Sequence, residues 1–377
     1  MGYTVKEVNS KKTINDFVLL PSFIYKDNPC YIPDLEGDVR DFFNTKKNPD
    51  AQTSELQAFV AYDNDGRPVG RIAGIINHKA NDTWKSKNVR FGMIEFIDDM
   101  EVSSALLQAV AQWGKDRGMN KIQGPLGVTD FDKEGMLLED FDKEGSMVSI
   151  YNPEYYPKHM EKLGFGKEAD WIHVRFDIPK SLPPRYERTA KLVGEMYGLH
   201  IRHLSRRDLL HRGYGARMFA LLNKAYRPLF GFSELSEESQ KKFLHQYLPI
   251  ADLRMIPTVE DQDGRMVGVG VTIGSLSHAL RKSKGRLFPL GWFHLLKAIK
   301  FKHEDKVEML LIAIDPEYQG MGVNALIFNE LIQVYNKLGY KWAETGPMLE
   351  DNLKVLSQWK GLSPTFYKRR RCFCKEI

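Results

Sequence analysis

The sequence predicts an α/β (α+β) chain of two tandem domains, each a mixed twisted sheet flanked by helices. Three observations carry this. The chain has 377 residues, and a single hydrophobic core rarely serves more than about 250. The same order of strand, helical stretch, hairpin and helix is written twice. Between the two runs lies Pro179-Lys180-Ser181-Leu182-Pro183-Pro184, where proline cannot continue a ladder and stiffens the connector. The expected domains are residues 1–179 and 180–377.

In the first half, Tyr3–Val8 reads as a strand, and Ile14, Phe17, Val18, Leu19 and Leu20 mark a helix. Phe59–Tyr62 and Val69–Ile76 flank Asp63-Asn64-Asp65-Gly66, whose Asp-Gly pair suits a hairpin turn. A helix over Ser103–Arg117 places Leu106, Leu107, Val110 and Trp113 at helical spacing, with Gly118 as its stop. Trp171–Ile178 closes the half as a strand.

The second half opens on the strand His200–Leu204 and two helices, near 206–226 and 234–248. Strands Leu253–Val259 and Met266–Ile273 flank Gln262-Asp263-Gly264-Arg265, a second Asp-Gly hairpin. Val307–Ile314 is almost continuously apolar, the mark of a strand buried on both faces. A helix over 324–337 follows, stopped by Gly339. The halves also share text. Arg67-Pro68-Val69-Gly70 resembles Arg265-Met266-Val267-Gly268, Ala105-Leu106-Leu107 resembles Ala325-Leu326-Ile327, and each helix leads to Gly-Pro, at 124–125 and 346–347. Matching order and matching text together indicate an internal duplication.

Composition excludes several classes. Hydrophobic residues at 42% and charged residues at 27% give an ordinary globular balance. Lys and Arg exceed Asp and Glu by 54 − 49 = 5, which suits an anionic ligand or surface but is too weak to argue for nucleic acid. Cys30, Cys372 and Cys374 form neither a disulfide framework nor a zinc site. No metal spacing is present among the histidines either. Residues 1–16 lack the apolar core of a signal peptide, and Lys6 breaks the myristoylation pattern after Met1-Gly2. No run reaches the ~18 apolar residues of a membrane span. The expected location is cytoplasmic, with a peripheral position at the inner membrane as the wider version.

The strongest motif is Gln319-Gly320-Met321-Gly322-Val323-Asn324, between the apolar strand with its stop at Asp315-Pro316 and the helix that follows. Glycines there let the backbone approach a ligand. The free N–H groups and dipole of the helix's first turn make an anion site. Neither Gly-x-Gly-x-x-Gly nor Gly-Lys-Ser/Thr is present, so the dinucleotide and nucleotide-triphosphate loops are excluded.

This loop resembles the Gln-x-x-Gly-x-Gly/Ala pyrophosphate loop of the GCN5-related N-acetyltransferase superfamily, with one glycine a place early and Asn324 in the last position. The resemblance spans both halves. It includes Asp315-Pro316-Glu317-Tyr318 and Glu350-Asp351-Asn352. At the equivalent turn the first half reads Asp98-Asp99-Met100-Glu101-Val102-Ser103, carboxylates that would repel a pyrophosphate. Gly124–Gly127, Gly135–Leu138 and Tyr151–Tyr156 are similar to a bacterial family of tandem acyltransferase-like proteins, some of which acylate long-chain amines such as sphingoid bases.

The resemblance implies an N-acyltransferase using acetyl-CoA or a longer acyl-CoA and a primary-amine acceptor, with no metal. Leu311, Ile312, Ala313 and Ile314 would meet the cofactor along the strand, Gln319 to Asn324 would hold its pyrophosphate, and Asn352 its pantetheine arm. The backbone near Leu311 or Ile312 would stabilise the oxyanion. Glu308 stands where a general base is found in the histone acetyltransferase branch, against a plain reading as a solvated strand-end charge. The usual tyrosine acid is replaced by Trp359, which leaves Tyr367 as the substitute candidate. Glu344, Glu350 and Asp351 are candidates to hold the acceptor amine, with helix capping as the alternative for the residues around Asn352.

The hairpin-to-strand connection of 274–307 is far longer than the fold needs. Within it Trp292, Leu295, Leu296 and Ile299 fall at helical spacing among Lys297, Lys300 and Lys302. That describes either a core-facing helix with a solvated lysine face or, over 286–302, a lid or membrane-contacting element whose Trp292 meets the substrate. The terminal Lys368-Arg369-Arg370-Arg371 is either a strand with a solvated basic face or an aid to CoA or anionic lipid binding. Two rival functions stay open. One is aminoacyl transfer from tRNA, as in tandem cell-wall enzymes of this fold, which usually carry a coiled-coil arm that no heptad pattern here supplies. The other is a non-catalytic acyl-CoA-binding protein.

Overall fold

Strand pairing repeats in the way the duplicated text requires. The computed structural model describes residues 2–44 and 46–377. The first run of elements is β1 (Thr4–Glu7), α1 (Lys11–Ile24), α2 (Glu36–Asp41), β2 (Ser54–Tyr62), β3 (Pro68–Asn77) and α3 (His78–Trp84). It continues with β4 (Asn88–Phe96), α4 (Met100–Lys115), β5 (Lys121–Gly124), β6 (Met136–Leu137), α5 (Tyr155–Lys162) and β7 (Gly166–Asp177). The second run begins with α6 (Pro184–Tyr197), β8 (His200–Arg202), α7 (Arg206–His211), α8 (Tyr214–Tyr226), α9 (Glu237–Tyr247), β9 (Thr258–Glu260) and β10 (Met266–Gly274). Then come α10 (Ser277–Ser283), α11 (Gly291–Lys300), β11 (Lys306–Ile314), α12 (Val323–Leu338), β12 (Trp342–Thr345), β13 (Met348–Leu349), α13 (Leu353–Ser357) and β14 (Thr365–Glu376).

The chain forms two compact units. One gathers Met1–Ile172, Leu276–Ala298 and Lys368–Ile377, and the other His173–Ser275 and Ile299–Tyr367. In the first unit β1, β2, β3 and β4 run antiparallel in order, β4 pairs β5 in parallel, and the end of β14 lies antiparallel to β5. In the second, β8, β9, β10 and β11 run antiparallel, β11 pairs β12 in parallel, and the end of β7 lies antiparallel to β12. Each unit therefore takes a strand segment from the other half of the sequence. Both fourth strands carry a bulge against the third, at Arg71/Ala73 and at Val271/Thr272. The fold-class expectation of two mixed sheets flanked by helices holds.

Several element expectations need correction. Leu253–Val259 is not one strand: Leu253–Met255 is a 3₁₀ turn and only Thr258–Glu260 pairs, because Pro257 offers no N–H to a ladder. The two helices after β8 are three, since Gly213 at φ +77° ends one and starts the next. The C-terminal basic run is neither a solvated strand face nor a free anion site. Lys368 and Arg370 are buried. Lys368 Nζ donates to Glu144 O at 2.6 Å, and Arg370 donates to Ile150 O and to Ser149 Oγ. Arg371 donates twice to Asp170, at 2.8 and 3.0 Å.

The first unit fills its centre with a polar cluster of its own. Glu95 on β4 accepts from Tyr25 Oη at 2.6 Å and Tyr156 Oη at 2.8 Å, with Arg71 Nη2 at 3.9 Å. Burial pushes the Glu95 carboxyl up to about 7 despite Arg71 and the two phenols. The turn before α4 is closed as well. Asp99 Oδ1 caps that helix on Glu101 N at 2.8 Å, and Tyr3 Oη donates to Asp99 Oδ2 at 2.8 Å. A helix start already occupied by its own carboxylate is a poor anion site.

Because Glu95 holds its proton to a higher pH folded than its ordinary 4.5, the native state binds the extra proton between about 4.5 and about 7, and stability falls as pH rises through that window. Glu95→Gln is expected to remove this slope. At about pH 8 the variant should be more stable than wild type by about 3 kcal/mol, and near pH 5 the two should match. Denaturant titrations at both pH values check this; equal slopes in the two proteins would refute it.

Candidate active site

The second unit holds a charged cluster on one face of its sheet and an apolar core on the other. Alternation along β11 sends Val307 and Met309 into the core with Val174, Phe176, Ala343, Ile327, Phe328 and Leu331. It sends Lys306 and Glu308 to the opposite face. The expectation that this strand is buried on both faces holds over residues 306–309, but one of those faces is charged, and Leu310 to Ile312 are only half-buried. In the parallel register Lys306 stands beside Trp342 and Glu308 beside Glu344, so the two carboxylates are neighbours before any side chain moves.

All three charges are buried: Lys306 is 2%, Glu308 1% and Glu344 0% exposed. Lys306 Nζ lies 2.8 Å from Glu308 Oε1 and 2.7 Å from Glu344 Oε2. Burial alone would lower the lysine's pKa, but the two carboxylates outweigh it and hold it above its ordinary value. Tyr367 hydrogen-bonds Glu344, and burial followed by that negative charge drives its phenol well above its ordinary pKa. His173 Nδ1 lies 2.8 Å from Thr345 O and 3.8 Å from Glu344 Oε1. The carbonyl assigns the proton to Nδ1. Thr345 Oγ1 in turn accepts from Val174 N at 2.9 Å.

The sheet opens immediately beyond the carboxylates. The β11–β12 ladder ends at Met309↔Thr345. Opposite β10, Val271 pairs Leu311 while Thr272 pairs Met309, so Leu310 is the extra residue of the bulge. Leu310, Leu311 and Ile312 are only half-buried, Ala313 is buried and Ile314 half-buried. Past the strand, Asp315 is buried and tied down. Lys224 reaches it at 2.8 Å and Arg265 at 2.7 Å, and both also reach Glu317, at 3.1 and 2.9 Å. The acids ahead of the loop are therefore neutralised locally.

The loop itself has the geometry that its glycines predict. Gly320 sits at φ +81° and Gly322 at φ +85°, where a side chain is strained. A Cβ on Gly322 would lie 2.9 Å from Thr189 Cγ2. Gly322 caps α12 without a side-chain hydrogen bond, and the first turn has no acidic residue. The N–H groups of that turn are thus not claimed by a capping side chain, in contrast to the Asp99-capped α4. Gln319 Nε2 donates to Ile314 O at 3.2 Å, bracing the turn, and Asn324 Nδ2 reaches Gln358 Oε1 at 3.5 Å. The residues present fit an anionic ligand such as a pyrophosphate.

Of the residues expected from sequence, the second unit brings Glu308, Glu344 and Tyr367 into one cluster, and Leu311 to Asn324 into one strand-loop-helix run. Glu308 is not the solvated strand-end charge of the plain reading. Asn352 caps α13, accepting from Val355 N at 3.3 Å; Glu350 is half-buried and Asp351 exposed beside it. Trp359 is 2% exposed, packed on Phe176 and Phe328, with Nε1 donating to Met348 Sδ at 3.2 Å. It is a core residue. Trp292 lies in the other unit, 47% exposed, its indole N–H on Pro289 O at 3.1 Å. Sequence reading passed over Lys306 and His173. The i, i+2 spacing of Lys306 and Glu308 could have shown the first; His173 comes from a strand of the other half, which no local pattern shows. Among the described residues no group of three His, Cys, Asp or Glu could hold a metal ion.

The fold can now be compared with known proteins. A tandem GNAT protein from the clavulanic acid biosynthesis pathway superposes with a TM-score of 0.57 at 11% identity, over 100% of this chain and 98% of its own. The chain has a tandem GCN5-related N-acetyltransferase fold. No family model matches it. Two curated proteins are similar over nearly the whole length. The bacterial ceramide synthase of Caulobacter vibrioides is 26% identical over 380 residues, 99% of this chain and 97% of the relative. Protein YghO of Escherichia coli K12 is 26% identical over 382 residues, 99% and 95%.

Removing the shared cation should be costly. Lys306→Met would leave two buried carboxylates facing each other, and a loss of about 3–5 kcal/mol is expected. Lys306→Met/Glu344→Gln should recover part of it, because one charge then has no like neighbour. Chemical denaturation of the two variants measures both. Wild-type stability in Lys306→Met would overturn the shared-cation arrangement.

Proposed function

We propose that the protein is an acyl-CoA-dependent N-acyltransferase whose acceptor is a primary amine on a long hydrocarbon chain, with the chemistry in the second unit. One observation carries this. A glycine-led helix start free of side-chain caps, a strand whose parallel ladder stops short, and a buried carboxylate pair one residue before that stop all occur in a single unit. The tandem fold supports acyl transfer, and the relative named a ceramide synthase supports amide formation on a long-chain amine. Such an amine resides in a bilayer, so a cytoplasmic supply of acyl-CoA and a peripheral position at the inner membrane go with the reading.

The co-substrate would contribute an acyl thioester. Backbone N–H groups from Gly320 to Asn324 would hold its pyrophosphate, and Leu311 to Ile314 its pantetheine and acyl carbonyl, with Asn352 beside the arm. The protein's own groups then handle charge. Lys306, Glu308 and Glu344 sum to one negative charge, so an incoming ammonium is attracted and neutralises the cluster. Glu308, as base, takes one proton from that ammonium, and Glu344, held by Lys306 and Tyr367, positions the amine with Glu350 and Asp351 nearby. The amine nitrogen bonds to the acyl carbon and the carbon–sulfur bond breaks. A second proton leaves the nitrogen and ends on the departing sulfur, through Tyr367 or water, while the first returns to solvent.

The core position of Trp359 favours a second reading, an acyl-CoA binder without turnover, since no side-chain acid stands at the usual tyrosine place. Calorimetric titration with acetyl-CoA and palmitoyl-CoA, paired with an assay of long-chain amine acylation, separates the two. Binding without any turnover would leave the binder, and binding of neither would reject both. Glu308→Gln should bind acyl-CoA as wild type does while kcat falls by about 10²–10⁴; unchanged turnover would remove Glu308 as base. Gly322→Ala, which forces a Cβ toward Thr189 at a positive φ, should weaken acyl-CoA binding by about tenfold or more.

A further inference from the structure

We propose that the segment from Lys282 to Lys297 is a docking surface for an anionic lipid bilayer. The inference deepens the peripheral location above by naming the surface and the lipid charge it needs; it does not depend on acyl transfer. The first observation is exposure. Phe288 is 78%, Leu290 68%, Phe293 51% and Trp292 47% exposed, and Leu287 and Leu296 lie in the same stretch at 40% each. In α11 the only fully buried residue is Gly291. The helix is therefore not the core-facing one that its spacing allowed. Large apolar side chains clustered outward in this way are not how a helix meets water.

The second observation is charge. From Met266 to His303 the sequence contains no Asp or Glu, while Arg281, Lys282, Lys284, Arg286, Lys297, Lys300 and Lys302 are all cationic. Those seven positive charges exceed the whole chain's net +5, so the remainder of the protein carries 5 − 7 = −2. Within the first unit, two of these cations anchor the segment rather than face outward. Arg281 pairs Glu144 at 2.5 Å and Arg286 pairs Glu36 at 2.6 Å, and Glu36 N donates to Gly285 O at 2.9 Å. Lys282, Lys284 and Lys297 are exposed.

A fixed, outward, aromatic stretch edged by lysines and lacking any acid is complementary to anionic headgroups over an acyl interior. A second copy of this chain fits poorly, since a two-fold contact would set the same cations against each other. The apolar side chains enter the interface, and the lysines remain at headgroup level, where their stems also cover apolar surface.

Co-sedimentation of the full chain with phosphatidylcholine vesicles, with and without about 30% phosphatidylglycerol, tests the proposal. Binding is expected to the anionic vesicles, to weaken by about tenfold in high salt, and to be slight on the neutral ones. Phe288→Ser/Leu290→Ser and Lys282→Glu/Lys284→Glu/Lys297→Glu should each lower partitioning by about tenfold or more, while melting temperature and acetyl-CoA binding stay at wild-type values. That last measurement separates a failed surface from a failed acyl-CoA site. No binding by wild type, or equal binding by wild type and both variants, would overturn the proposal. So would light scattering that shows a wild-type dimer lost in Phe288→Ser/Leu290→Ser without vesicle binding, which would give the face to a second copy.

Discussion

Two carboxylates on adjacent parallel strands share one buried ammonium, and the second unit is arranged around that fact. Parallel register fixes Glu308 beside Glu344, which is unfavourable unless a cation is supplied at the same depth. Lys306, two residues back on the same strand face, supplies it without a second element. Glu344 also meets Tyr367, which hydrogen-bonds it, and His173, whose Nδ1 lies 3.8 Å from Oε1.

The duplication shows what the first unit has given up. The third pair of its parallel ladder is Arg90↔Gln123, where the second unit has Glu308↔Glu344. Arg90 is spent on holding a loop, donating to Gly127 O at 3.2 Å and Val128 O at 3.1 Å. A cation in place of a carboxylate would repel an ammonium, and the Asp99 cap turns the helix start against an anion. The first unit thus presents neither the carboxylate pair nor the uncapped helix start of the second, and burial raises the pKa of its own carboxylate, Glu95.

Much of this was legible in the sequence because it depends on local geometry. Asp-Gly turns, Gly118 and Gly339 as helix stops, and glycines at positive φ in the 319–324 loop are decided within a few residues. So is the long insert, which its length alone exposed. What escaped was decided by pairing. An apolar strand with Lys306 and Glu308 at its start reads as buried until β12 places Glu344 beside them. His173 arrives on β7 from a distant part of the chain. The terminal basic run reads as a solvated surface, and only its contacts with 144–150 show that its cations donate to the carbonyls of Glu144 and Ile150. Trp359 reads from sequence as the wrong residue for an acid, but its core position depends on Phe176 of β7 and Phe328 of α12.

The exchange of β7 and β14 has a consequence for how such a molecule can vary. Each sheet includes a strand segment encoded in the other half, so neither half of the sequence supplies every strand of one sheet. A cut after residue 179 would strand β14 away from β5 and β7 away from β12, leaving two unpaired sheet edges. Removing either half of the sequence would therefore take a strand segment out of the sheet that the other half builds.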